Sequence, residues 1–333
     1  MVYLIKLLLT LAPAAVTSIP IWEVGRFQGK VPDLNSSSIT PKLFYESQQF
    51  LPFVVRGYQE NLDQLAQQDG FSGDSIDWLA GKIGPDARMT SIEGELQETR
   101  MAPTIRRLKF KYFFEKFREL DAYIVTQAPG TVREYLRLLP MFSGSSNTRQ
   151  MQTPMMWISG GVKQSKSVIH SDSYHNQHCV LKGSKKFMLI PHQAFIETPE
   201  YGWVTVDNED GSRKSGFEDA YGEFAGLIDY NDVDIDAFPK WKDVPWYLAE
   251  LNDGDCVYMP IGWYHYVESG AEPTVTWHQW FRPPSYTGDD AVTKQIFTDQ
   301  CFFRRDDQLK GFPDEGRWPE DQLSLCIDSA RIN

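Results

Sequence analysis

Two histidines and one carboxylate have the types and spacing to do chemistry together. In the segment Ile169-His170-Ser171-Asp172 the imidazole and the acid are two residues apart, so on an extended strand both leave from the same face. A lone His-x-Asp is weak, and a third ligand has to come from a neighbouring strand. The segment GDCVYMPIGWYH, which begins at Gly254 and ends at His265, can supply it. Gly254 starts a strand, Pro260-Ile261-Gly262 turns the chain, and His265 opens the return strand. Two imidazoles and one carboxylate on one side of an octahedral ion are the facial triad of non-haem Fe(II) oxygenases, with the remaining positions open for a bidentate co-substrate and O2. All six histidines (His170, His175, His178, His192, His265 and His278) fall between residues 170 and 278, a clustering that points to a site.

A 2-oxo acid chelating such an ion needs a cation for its far carboxylate. Lys182, Lys185 and Lys186 cluster around Gly183 and Ser184. A short turn there would return the next apolar strand beside the first and carry an ammonium toward the metal cavity. Geometry favours Lys185, but residue types alone leave the three lysines, and a plain surface hairpin, open. His175 and His178 are out of phase on one strand and read as groups behind or at the rim of the site. His192 reads as a surface residue. His278 either orients a bound ligand or is a packed strand histidine.

The elements that must position these groups are short strands. From Tyr123 onward, β-type runs at 122–126, 155–159, 167–172, 177–181, 186–190, 256–259, 264–267 and 273–281 are separated by turn residues. Many short strands with Gly and Pro turns favour a sandwich or barrel, of which the cupin-like double-stranded β-helix is one form. Residues 39–118 read as mixed, mostly helical material with one extended run, Phe53-Val54-Val55. Phe110, Phe113, Phe114 and Phe117 recur at helical spacing and form a core-facing stripe. An acidic insert at about 200–236 reads as a solvated loop, with docking of a basic substrate as the sharper alternative. Residues 286–333 read as a polar helical appendage through which a homodimer could form.

Composition bounds the rest. The chain has 333 residues and a net charge of −12, with 41% hydrophobic and 14% aromatic residues. That content excludes a disordered chain, and the acidic balance argues against nucleic acid, which needs clustered Lys and Arg. The apolar run within residues 1–18 follows Lys6, ends in small residues and is too short to cross a bilayer. It reads as a signal peptide, with no membrane span. With the sequon Asn35-Ser36-Ser37, it points to the secretory pathway (the ER lumen or secretion), and to the cytoplasm otherwise. Cys179 and Cys256 lie in apolar stretches and read as buried hydrophobes, whereas Cys301 and Cys326 could form a bridge.

The stretches FYESQQFLPFVVRG (44–57), DAYIVTQ (121–127), HSDSYHNQHCVLKGSKKFMLIP (170–191), DVDIDAFPKW (232–241) and NDGDCVYMPIGWYHYVES (252–269) resemble the Jumonji-C/cupin-like family of Fe(II)- and 2-oxoglutarate-dependent oxygenases. Within it they are most similar to the small protein hydroxylases, the lysyl-hydroxylase-like and asparaginyl members. The resemblance implies a mainly β (α+β) fold with flanking helices. It implies an N-terminal mixed α/β region at 19–121 and a jelly-roll, JmjC-type β-helix core at 122–285. It places Fe(II) on His170, Asp172 and His265. It assigns Lys185, with the hydroxyls of Tyr123 and Ser167, to the 2-oxoglutarate C5 carboxylate, and Asn176 to the lining of the same pocket. His278 stands where relatives often carry Asn, so contacts to co-substrate or product differ there. The implied reaction consumes O2 and 2-oxoglutarate, releases succinate and CO2, and hydroxylates a protein or peptide side chain, a basic one if the insert docks it. The expected signal peptide and the lack of a chromatin-reader domain disfavour histone demethylation. The competing readings are another metal-dependent cupin enzyme, a non-catalytic cupin-like binding module, and a zinc hydrolase on the same ligands. The first of these does not need Lys185 together with Tyr123 and Ser167, the intact ligand set argues against the second, and metal content tests the third.

Overall fold

The structure, a computed structural model, describes residues 19–39, 51–84, 91–94, 110–116, 122–142, 154–161, 164–167, 169–172, 174–191, 205–207, 213–215 and 230–281, with positions 119 and 194. The expected signal peptide, the segment 286–333 with Cys301 and Cys326, His192 and most of the acidic insert lie outside the described residues.

In chain order the elements are β1 (Arg26–Lys30), β2 (Phe53–Val55), α1 (Leu62–Gln68), α2 (Ser75–Ile83), β3 (Ser91–Gly94), α3 (Phe110–Lys116), β4 (Ala122–Gln127) and α4 (Gly130–Arg133). There follow β5 (Met155–Ser159), β6 (His170–Ser171), β7 (His175–Lys182), β8 (Lys185–Ile190), β9 (Thr205–Asp207) and β10 (Arg213–Ser215). The last four are β11 (Pro245–Leu251), β12 (Cys256–Met259), β13 (Tyr264–Ser269) and β14 (Thr274–Phe281). They build a five-stranded sheet, β1-β11-β8-β13-β6, and a seven-stranded sheet, β2-β12-β7-β14-β5-β4-β3, beside a small β9-β10 hairpin. This is the jelly-roll architecture of the double-stranded β-helix.

Strand alternation sets what each face carries. Met156, Ile158, Cys179, Leu181, Cys256, Val275, Trp277 and Phe281 point away from the barrel into an outer core with α1, α2 and α3. Those helices bring matching stripes. Asn61 and Gln64 form a capping box on α1, which buries Leu62, Leu65 and Ala66, and α2 starts at the Asp74 cap and buries Ile76, Leu79 and Ile83. Phe110 and Phe113 of α3 are buried as the stripe predicts. On the five-stranded sheet, Met188, Ile190, Tyr264 and Tyr266 face outward into a second cluster with Ile21, Val24, Tyr230 and Trp241. Val180, Phe187, Leu189, Ala249, Leu251, Val257 and Met259 fill one end between the sheets. The other end of the interior is polar, and there the histidines converge.

Three expectations need correction. β8 does not return beside β7 or β6: it pairs with β11 and β13 in the opposite sheet, so the turn at 183–184 carries the chain across the barrel. Gly183 adopts φ +86, and a Cβ there would stand 2.7 Å from Pro273 O, so only glycine fits this crossing. Second, Cys179 and Cys256 are buried as expected but are bonded to each other. They face each other in the β7–β12 register, next to a Val180 N–H that donates to Asp255 O. That makes theirs the narrow, non-hydrogen-bonded type of pair. A separation of 77 residues hides this neighbour relation from a reading that does not pair the strands. Third, β1 and β11 go unrecognised in the sequence. β1 is a mostly exposed edge strand rich in polar residues, and β11 opens on a proline and lacks clean alternation.

Candidate active site

β6 and β13 pair antiparallel with His265 directly opposite His170, and the two rings lie 4.1 Å apart between centroids. Asp172 follows just past the end of β6, and its Oδ2 is 3.9 Å from His265 Nε2, the side chains being 15% and 6% exposed. The three groups expected to converge therefore do so. They stop short of a closed cage: among the described residues no group of three or more His, Cys, Asp or Glu is drawn in tightly enough to hold an ion as it stands. Ligands about 2.1 Å from one ion at right angles are about 3 Å apart, so the Asp172–His265 pair stands about 1 Å wider than joint ligation needs.

The surroundings fix how each group presents itself. His265 Nδ1 lies 3.2 Å from Trp263 O. A carbonyl only accepts, so Nδ1 carries the proton and, in the neutral ring, Nε2 turns a lone pair toward the Asp172 carboxylate. A lone pair and an anion facing each other are a donor set suited to a cation. Asp172 is held in turn by Trp280 Nε1–H at 3.1 Å and by Asn176 Nδ2–H at 3.3 Å, both on Oδ2. The contributions of Trp263 and Trp280 are absent from the motif reading. The signal for Trp280 was its position two residues after His278, on the same strand face.

Lys185 opens β8 opposite Ser269 of β13 and Leu251 of β11. Its ammonium lies 5.9 Å from the Trp157 ring centre, and no described carboxylate pairs with it. Burial alone pushes its pKa down from 10.5 to about 8. Desolvation by burial holds both His178 and His278 below the usual histidine range, His278 at about 3, and the Lys185 ammonium adds to the effect on each. The two imidazoles thus lie within electrostatic reach of both the ammonium and the His170–His265 end.

A family model described as a cupin-like domain matches residues 52–287. The chain belongs to that family. Similar proteins include the human bifunctional peptidase and (3S)-lysyl hydroxylase JMJD7, 22% identical over 201 residues that cover 56% of this chain and 62% of that protein. The lysine-specific demethylase JMJ31 of Arabidopsis thaliana is 27% identical over 139 residues, 41% of this chain and 22% of that protein. Jumonji C domain-containing protein 5 of Drosophila melanogaster is 29% identical over 105 residues, 32% of this chain and 22% of that protein. The chain spans less than two thirds of the length of each of these relatives.

Within this cupin-like domain the remaining expected residues are placed as follows. Ser167 runs beside β13, where its Oγ accepts from Val267 N–H at 3.0 Å, which leaves its own O–H proton to donate elsewhere. Tyr123 sits on β4 in register with Ser159, and its side chain lies outside the described residues. Asn176 and His178 are on the inner face of β7, and His278 faces His178 across the β7–β14 ladder. His175 points the other way, away from the site rather than behind or at its rim. Its Nδ1 accepts from Tyr258 O–H at 2.8 Å and from Ile261 N–H at 3.4 Å, so it steadies the turn that leads to His265. The inner face of the seven-stranded sheet, from which Trp157, His178 and His278 reach toward Lys185, carries polar atoms that lack partners among the described residues. Ser159 Oγ, Asn176 Oδ1, His178 Nε2, Thr276 Oγ1 and His278 Nε2 are all buried without a hydrogen bond among the described residues. Buried polar groups are rarely left unpaired, and these orphans, facing an ammonium with no described carboxylate partner, suit an oxygen-rich anionic ligand.

Proposed function

We propose that the protein is an Fe(II)- and 2-oxoglutarate-dependent dioxygenase that hydroxylates a protein or peptide side chain. The observation that carries this reading is a desolvated, half-buried ammonium, Lys185, with no described carboxylate partner, in the same interior as the His170, Asp172 and His265 cluster. Family membership supports the reaction class. The name of the human relative, a lysyl hydroxylase, supports a polypeptide substrate, and no helix among the described residues is long and apolar enough to cross a membrane.

In this reading His170, Asp172 and His265 hold the iron, with Trp263 O fixing the His265 tautomer and Trp280 and Asn176 fixing the carboxylate. Bound iron supplies the O2 chemistry, coupling decarboxylation of 2-oxoglutarate to succinate and CO2 with transfer of one oxygen atom to a substrate C–H bond. Lys185 pairs with the far carboxylate of 2-oxoglutarate, a charge-assisted hydrogen bond in a desolvated site. Ser167 and Tyr123 add hydroxyl donors to that carboxylate, and Asn176 lines the pocket. The Cys179–Cys256 bridge supports an oxidising compartment, in keeping with residues 1–18 acting as a signal peptide.

The test is anaerobic reconstitution with Fe(II), followed by O2 admission with 2-oxoglutarate and peptide pools. Succinate formation matched by a gain of one oxygen in a peptide supports the reading. Metal uptake with no dependence on 2-oxoglutarate refutes it, in favour of another metal cupin or a binding module.

A further inference from the structure

The partnering of His278 carries one step more, and it rests on the co-substrate reading above. Trp157 Nε1 lies 3.1 Å from His278 Nδ1. An indole N–H only donates, so Nδ1 must be the acceptor and cannot itself carry a proton. The ring is therefore neutral, with its proton on Nε2. That Nε2–H is buried and has no partner among the described residues. The ring is fixed from a second side, since the indole of Trp280 stacks on it at 4.7 Å and 26°. Trp280 in turn donates to Asp172. His278 is thus clamped between two tryptophans, one setting its tautomer and one its plane, and its buried donor lies on the strand face opposite His178, within electrostatic reach of the Lys185 ammonium.

The resemblance already places His278 among the co-substrate contacts; we propose that Trp157 is the positioning residue that sets its tautomer, so that His278 meets an oxygen of 2-oxoglutarate as an Nε2–H donor. Without the indole N–H, neutral His278 is free to place its proton on Nδ1 and to offer the ligand a lone pair instead. A lone pair facing a carboxylate or keto oxygen repels it, so the tautomer decides the sign of the contact. The Trp157 ring also lies 5.9 Å from the Lys185 ammonium, so one side chain borders both donors. The arrangement favours acids with acceptor oxygens along their length over apolar keto acids of the same size.

The experiment uses the full chain loaded with Zn(II), which is diamagnetic and does not turn over. Histidine-selective 15N spectra report which ring nitrogen is protonated, and calorimetry reports 2-oxoglutarate affinity. The expected wild-type signal for His278 is the Nε2–H form. Trp157→Phe keeps the ring and removes the donor; it should convert His278 to a mixed or Nδ1–H form and weaken 2-oxoglutarate binding about three- to tenfold, with Zn(II) affinity unchanged. His278→Leu should weaken it about tenfold or more, and His278→Gln, which keeps an N–H at similar reach, should recover most of the loss. An Nδ1–H signal in the wild type overturns the inference. So does a Trp157→Phe protein that folds with the wild-type thermal midpoint and binds the acid equally well, an outcome that leaves the oxygenase reading intact. A wild-type protein that takes Zn(II) but not 2-oxoglutarate overturns both.

Discussion

Replacing Lys185 by Met should make the ligand-free protein more stable and at the same time unable to bind its acid. Folding lowers the lysine's pKa from 10.5 to about 8 by desolvation, with no described carboxylate in compensation. Between those two values the unfolded chain binds more protons than the native one, so stability rises with pH across that window. The penalty is fully present below about pH 8 and gone above about pH 10.5. A shift of that size corresponds to about 3 kcal/mol. Allowing for the part of the side chain that still meets solvent reduces it to about 2 kcal/mol. Methionine has a similar length and no charge to desolvate, so Lys185→Met should gain that amount at pH 7. For a chain of this size the gain is a rise of about 4 °C in Tm. Near pH 10 the two proteins should melt within about 1 °C of each other. The assay is thermal unfolding of metal-free protein at pH 7 and pH 10, repeated at pH 7 with Zn(II) and millimolar 2-oxoglutarate. The acid should stabilise the wild type by mass action and leave the variant unmoved. A Lys185→Met protein that melts lower at pH 7, or one whose gain is the same at both pH values, would show that Lys185 is a structural lysine and not an anion receptor kept at a cost to stability.

Further outcomes follow from the same geometry. Binding of 2-oxoglutarate should restore the Lys185 ammonium, so calorimetric heats near pH 8.5 should vary with buffer ionisation enthalpy and affinity should fall as pH rises above about 8; buffer-independent heats would contradict this. Trp280→Phe removes one of the two donors on Asp172 Oδ2, and Zn(II) affinity measured by competition with a chelator should drop about tenfold. Asp172→Ala should lose succinate formation altogether, and decarboxylation that persists would refute its place beside the iron. Cys179→Ala/Cys256→Ala opens a bridge spanning 77 residues, and loop-closure entropy sets the loss at up to about 4.5 kcal/mol in denaturant unfolding.

How much of this is legible in the sequence depends on whether a feature lives along a strand or between strands. His170 with Asp172, and His265 behind its Pro-Gly turn, follow from the period of two and from turn chemistry, and the structure brings them together as that logic requires. The Cys179–Cys256 bond, the Trp157–His278 hydrogen bond and the Trp280–Asp172 hydrogen bond join residues 77, 121 and 108 positions apart. No local period contains them, because they depend on sheet order and register. The turn at 183–184 shows the difference most sharply. Read locally, it is a hairpin, yet it sends β8 into the facing sheet.

That crossing is what turns a row of strand residues into a pocket. Were β8 paired with β7, Lys185 would sit in the same sheet as Asn176 and His178, and the cavity between the sheets would lack its cation. Placed on the facing sheet beside β13, the ammonium instead meets the inner faces of β7, β14 and β5 from across the barrel, where the orphaned polar atoms are. Gly183 enforces the crossing, since a side chain there would collide with Pro273 O and Thr274. Gly183→Ala should therefore do more than destabilise. By displacing the start of β8 it should weaken 2-oxoglutarate binding well beyond its effect on Zn(II) affinity, because Lys185 pairs with Ser269 at the turn, whereas His265 pairs with Leu189 at the far end of the same ladder. Equal losses in metal and acid binding, measured by the same calorimetry, would mean that the turn supports the whole barrel rather than the placement of Lys185.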